Sequence, residues 1–116
     1  MTQSSSIEPG WKEATLEYLS RLPAKAWPTQ QELVRRLSIS ERFYRQRLML
    51  EGSSYKALKI EVRLNRAISL LRSGCYRSIG EVADEMEFCD EHSFRKTFKR
   101  WAGCSPSLFL IRPKPF

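Results

Sequence analysis

The chain is short of the side chains that do covalent chemistry. It holds one histidine, His92, and three cysteines, Cys75, Cys89 and Cys104. No two cysteines form a C-x-x-C pair, and His92 does not stand at a zinc-ligand spacing from any of them, so neither a metal nor a cofactor is expected. There is no H-E-x-x-H and no Ser-His-Asp arrangement, which argues against an enzyme. The polar start, Met1 to Glu8, lacks the apolar run of a signal peptide, and no stretch has the length needed to cross a bilayer. An odd set of unpaired cysteines fits a reducing compartment. A cytoplasmic protein without a membrane partner is the expectation. Its 116 residues suffice for one compact domain or two very small ones, with no space for a catalytic domain beside a binding domain.

Positive charge is what the sequence has in excess. The formal net charge is +7 and the sequence pI about 9.7, values that favour polyanionic partners. Residues 53–116 hold twelve basic and seven acidic side chains, residues 1–52 eight and six. Charge alone would also fit a basic protein at a membrane surface or a merely solvated face. The helical pattern has to decide.

That pattern is helical throughout. Residues 1–9 read as a disordered lead. Trp11, Ala14, Leu16, Tyr18, Leu19 and Leu22 predict a helix that stops before Pro23. Thr29-Gln-Gln-Glu32 has the spacing of a capping box and opens a short helix through Leu37. Ser40 can cap another, with Gly52 placed to end it. Ser53 or Ser54 starts a long helix whose stripe is Tyr55, Leu58, Val62, Ala67, Leu70 and Leu71, closed by Gly74. Ser78-Ile-Gly-Glu81 repeats the capping-box spacing, Asp90 can cap a helix through Trp101, and Ser105-Pro106 can begin a last short one. The fold class is therefore all-α with about seven helices: a lead (1–9), a first helix-turn-helix subdomain (10–52), a linker helix (53–74), a second subdomain (75–112) and a tail (113–116). Trp11, Trp27 and Trp101 read as packing residues.

The two subdomains are an internal repeat. Thr29, Glu32, Leu33, Val34, Leu37 and Ile39 fall on Ser78, Glu81, Val82, Ala83, Met86 and Phe88 at an offset of 49. One extra residue in the second turn makes the offset 50, where Ser40, Tyr44 and Leu48 fall on Asp90, Phe94 and Phe98. The i, i+4 pairs Tyr44 with Leu48 and Phe94 with Phe98 should point inward. The opposite faces then hold Glu41, Arg42, Arg45, Gln46 and Met49 in the first unit, and Glu91, His92, Arg95, Lys96 and Lys99 in the second. Long donors at the start of a helix suit a major groove, where Arg engages guanine and Gln adenine through paired hydrogen bonds. A solvated surface is the commoner fate of one such helix, but two equivalent ones in a basic chain favour double-stranded DNA. The long helix, about 30 Å at ~1.5 Å per residue, would carry them to successive major grooves.

These residues resemble the AraC/XylS family of bacterial transcription regulators over about Pro28 to Phe109. The carriers are Ser40 with Gly52, Leu58-x4-Arg63-x3-Ala67-x2-Leu70-Leu71, Ile79-x2-Val82-Ala83, Phe88-x5-Phe94-x3-Phe98-Lys99 and Gly103-x2-Pro106-x2-Phe109. The resemblance implies two helix-turn-helix units joined by a long helix. It implies base reading by Arg42, Arg45, Gln46, Glu91, His92 and Lys96, and phosphate contacts from Ser40, Arg95, Lys99 and Arg100. It further implies a transcription activator in the bacterial cytoplasm, associated with the nucleoid, monomeric as this chain and dimeric if part of a longer protein. Three positions depart from the family: Val34 where Ala is common, Leu110 where Arg often follows the terminal aromatic, and Glu87 where the second turn usually has Gly. A left-handed backbone at Glu87 would cost about 1 kcal/mol, which predicts a re-formed turn. Glu41, Glu87 and Glu91 near the proposed faces leave open a different role, a degenerate helix-turn-helix module that binds another regulator or RNA polymerase.

Overall fold

The computed structural model describes residues 10–114, so the lead expected over 1–9 lies outside the described residues. Among these it has six α-helices and no strands: α1 (Trp11–Ser20), α2 (Gln30–Leu37), α3 (Glu41–Leu50), α4 (Tyr55–Arg72), α5 (Ile79–Glu85) and α6 (Glu91–Ala102). Two 3-10 turns, Ala24–Ala26 and Pro106–Leu108, add to them. The expected last short helix is the second of these turns. The chain folds as two compact units, one up to Val62 and the other from Arg63, so the boundary lies within α4.

The first unit is built on Tyr44 of α3. Its ring and those of Trp11 and Tyr55 meet edge to face, with centroids 6.1 and 6.5 Å apart. Burial would strand the two phenol hydroxyls, and each has a partner. Tyr44 Oη lies 2.6 Å from the buried Thr15 Oγ1, and Tyr55 Oη donates to the Pro28 carbonyl at 2.6 Å. Leu19, Leu33, Val34, Leu48, Leu58 and Val62 complete this core. Trp27 donates Nε1–H to the carbonyls of Leu19, in the last turn of α1, and of Leu22, just past its end. Ala14, one of the apolar residues that predict α1, is exposed, while Thr15 is buried. Gly10 gives α1 no side-chain cap, and Glu51 serves instead, its carboxylate accepting the amide protons of Trp11 and Lys12 at 3.0 and 3.2 Å.

Burial raises the Tyr44 phenol above its ordinary range and pushes Tyr55 up to about 12. A phenol whose pKa is higher folded than unfolded adds stability that is fully present below the unfolded value, ~10, and is lost as pH rises through the folded one. The first unit should therefore lose stability between about pH 10 and 12. Ultraviolet titration should show Tyr44 and Tyr55 ionising late, together with loss of helical circular dichroism.

The second unit is organised by a row of aromatic rings. Phe88 to Phe94, Phe94 to Phe98 and Phe98 to Phe109 lie 5.2, 5.8 and 5.8 Å apart. Cations from α4 close both ends. Arg63 stacks on Phe88 at 5.0 Å and on Trp101 at 5.4 Å, and Arg72 on Phe109 at 5.2 Å. Half-burial of the Arg63 guanidinium lowers its pKa. Ala67, Leu71, Ile79, Val82 and Ala83 fill the remaining core.

Both tight turns have the same backbone. Ser38 and Glu87, 49 positions apart, adopt the left-handed conformation with φ of 59° and 65°. In the first turn the Ser38 and Ile39 amides donate to the carbonyls of Arg35 and Val34; in the second, Glu87 and Phe88 donate to Asp84 and Ala83. The turn at Glu87 is thus kept, not re-formed. Its paired hydrogen bonds satisfy the last carbonyls of α5 and lock Phe88 onto Phe94, which outweighs a penalty of about 1 kcal/mol. Glu87→Gly should accordingly raise stability by about 1 kcal/mol, read as a higher urea midpoint at unchanged slope.

Candidate nucleic-acid interface

Each unit has a helix whose start is fixed by a cap and whose outer face is free of the core. The Ser40 hydroxyl accepts the Phe43 amide proton at 3.0 Å, and the Asp90 carboxylate accepts that of Ser93 at 2.7 Å. The Ser93 amide, followed by the Ser93 hydroxyl, holds the Asp90 carboxyl below its ordinary range. The helices that precede them are capped as well, though differently. Thr29 and Glu32 form the full reciprocal box, whereas Ser78 accepts from Glu81 and Glu81 turns to the amide of Arg77, one residue before the cap.

Tyr44 and Leu48, and likewise Phe94 and Phe98, are buried, with at most 1% of their surface exposed. This orients everything else on α3 and α6. Arg42, Arg45, Gln46 and Met49 are exposed on α3 beside the half-buried Glu41. His92, Arg95, Lys96, Lys99 and Arg100 are exposed on α6 with Glu91. The structure thus brings Arg42, Arg45 and Gln46 onto one face in the first unit, and Glu91, His92, Arg95, Lys96 and Lys99 onto one face in the second. Ser40 stands at the start of α3 with its hydroxyl engaged as the cap.

Not every long side chain on these faces is unattached. Arg45 Nη2 lies 3.9 Å from Glu41 Oε2, and Arg95 donates Nε–H to Glu91 Oε2 at 2.7 Å. Glu41 also accepts from Gln30 Nε2 of α2 at 3.2 Å. The Glu91 carboxylate rests over Gly80 of α5, where a β-carbon would come within 2.9 Å of Oε1. The i, i+4 spacing of Glu and Arg was visible in the sequence. The supporting roles of Gln30 and Gly80 were not, because they depend on how the two helices of each unit pack. Apolar side chains are exposed too: Met49 at 66%, Leu50 at 78% and Phe43 at 42%. Leu37, at the end of α2, is 44% exposed. Among the described residues no three acidic, histidine or cysteine side chains group as a metal site, and no helix is long and apolar enough to cross a membrane.

A family model described as a helix-turn-helix domain matches residues 33–112, more than half of the chain. The chain belongs to the AraC-type helix-turn-helix family. As a member of that family it is similar to an uncharacterised HTH-type transcriptional regulator of Mycobacterium tuberculosis. Identity there is 33% over 86 residues, covering 74% of this chain and 25% of the relative. Among solved structures it resembles the transcriptional regulator CdpR of Pseudomonas aeruginosa, with a TM-score of 0.66 and 34% identity, over 86% of this chain and 31% of CdpR. A DNA-binding transcriptional dual regulator of Escherichia coli K-12 shares the fold, with a TM-score of 0.71 at 23% identity over 89% of this chain and 91% of that one. The AraC-type chain thus spans about a quarter of the length of the first curated relatives it matches.

Proposed function

We propose that the chain binds double-stranded DNA in a sequence-specific manner, with α3 and α6 in successive major grooves, and so regulates transcription as an activator. The observation that carries this reading is the repeated unit itself: two capped helices with buried aromatic or aliphatic faces and outward faces bearing Arg42, Arg45 and Gln46, and His92, Lys96 and Lys99. Arg and Gln side chains pair with guanine and adenine edges, while Lys99, Arg100 and the amides near the helix starts suit phosphates. The first unit then carries more of the specificity, and the second, with its richer charge, more of the electrostatic grip.

Titration of a duplex with the protein at rising salt tests the reading. Phosphate contacts release counterions, so log affinity should fall linearly with log salt, with a slope of about −0.9 per contact. A flat response contradicts it and favours a second reading, docking on a protein such as RNA polymerase, for which the exposed Met49 and Leu50 would be the contact.

A further inference from the structure

The outward faces of α3 and α6 differ at most equivalent positions: Arg42 against His92, Gln46 against Lys96, Met49 against Lys99, Leu50 against Arg100. One pair is the same in both. Glu41 with Arg45 and Glu91 with Arg95 share the offset of 50 that relates the buried rings, and in each unit the ion pair is made. An exposed pair of this kind adds little to stability, so stability does not account for its presence twice. A carboxylate beside an arginine is also a poor phosphate grip, because it repels the very group to be held. What it does well is to fix a guanidinium fork. Gln30 anchors Glu41 from α2, and the open space over Gly80 in α5 seats Glu91. Arg95 is hydrogen-bonded to a carboxylate that lies against α5, and Arg45 is 3.9 Å from a carboxylate hydrogen-bonded to α2; an oriented fork matches O6 and N7 of guanine.

Given the DNA-binding reading above, we propose that Glu41 and Glu91 are positioning residues that aim Arg45 and Arg95 at equivalent base pairs. The two half-sites then carry guanine at the same place within each. Arg95 thereby leaves the phosphate-contacting set that the family resemblance implies and becomes a base-reading residue.

Selection of duplexes from a random library, followed by affinity measurements on the selected and single-base-changed sites, tests this with the whole chain. The wild-type protein should enrich guanine at equivalent places in both half-sites. Arg45→Ala should flatten the preference in one half-site and Arg95→Ala in the other, each by roughly ten- to a hundredfold. Glu91→Gln should weaken the guanine preference of Arg95 several-fold while strengthening binding to random duplex, since it removes a negative charge. Gly80→Ala, which displaces the Glu91 carboxylate but keeps its charge, should weaken the same preference without that gain. Equal loss on all sequences for Arg95→Ala would overturn the proposal. So would a Glu91→Gln variant that loses a cytosine preference elsewhere and leaves the guanine intact. Failure of the wild-type protein to enrich any motif would instead defeat the DNA-binding reading on which the proposal stands.

Discussion

Phe98→Ala should remove about 3–5 kcal/mol of stability, the usual cost of deleting a fully buried phenylalanine ring. Phe98 is 1% exposed and sits in the middle of the aromatic row, touching Phe94 on one side and Phe109 on the other. Its loss would leave a cavity that Phe94 cannot fill without giving up Phe88, whose position is set by the hydrogen-bonded turn at Glu87 and by the Arg63 guanidinium. Small domains have about 5–15 kcal/mol in total. A substitution of this size should unfold much of the second unit near 37 °C. The same experiment on Lys99→Ala, one residue away on the exposed face, should change stability by less than about 0.5 kcal/mol. Thermal melts of the two variants, followed by circular dichroism, check both. Equal melting temperatures for Phe98→Ala and the wild-type protein would show that the row is not the core.

Arg45→Ala should cost about 1–3 kcal/mol of discrimination at one base pair while leaving stability nearly unchanged. Arg45 is exposed and touches the rest of the protein through its contact with Glu41, so truncation disturbs no packing. Its guanidinium is one of the few groups on α3 able to make a bidentate contact with a base edge. Lys99→Ala is the contrast. A lysine near the end of α6 offers a point charge without a fork, so its removal should weaken every duplex alike and make the salt slope shallower by about 0.9. Competition between a specific and a random duplex separates the two outcomes. Equal loss on both duplexes for Arg45→Ala rejects its base-reading role.

The helices themselves were legible because their signals are local. Thr29, Ser40, Ser78 and Asp90 each cap the helix that the pattern assigned to them, and Gly74 and Gly103 lie just past helix ends with φ of 76° and 80°. The internal repeat also extends to the backbone, since the turn hydrogen bonds at Ser38 and Glu87 superpose at the offset of 49. What escaped depends on tertiary partners. Taken alone, Glu87 is a residue with an unfavourable φ, yet its turn is held by two amide donors, with Phe88 packed between the Phe94 ring and the Arg63 guanidinium. Glu51 caps α1 from forty residues away, a pairing no spacing rule reveals. Ala14 and Leu37 belong to the apolar patterns of their helices, but an apolar side chain at the margin of a stripe is buried only if a neighbouring element covers it. On the candidate faces, the residues could be listed from the sequence, whereas their mounting by Gln30 and Gly80 required the packing of α2 on α3 and of α5 on α6.

The central claim is that the chain has two DNA-reading units. Selection of bound duplexes from a random library at two salt concentrations tests it most directly. Two reading units should select a bipartite motif whose halves are centred about one helical turn apart, kept at both salt concentrations while overall affinity falls at the higher one. A single short half-site, or no enriched sequence at either concentration, would contradict it.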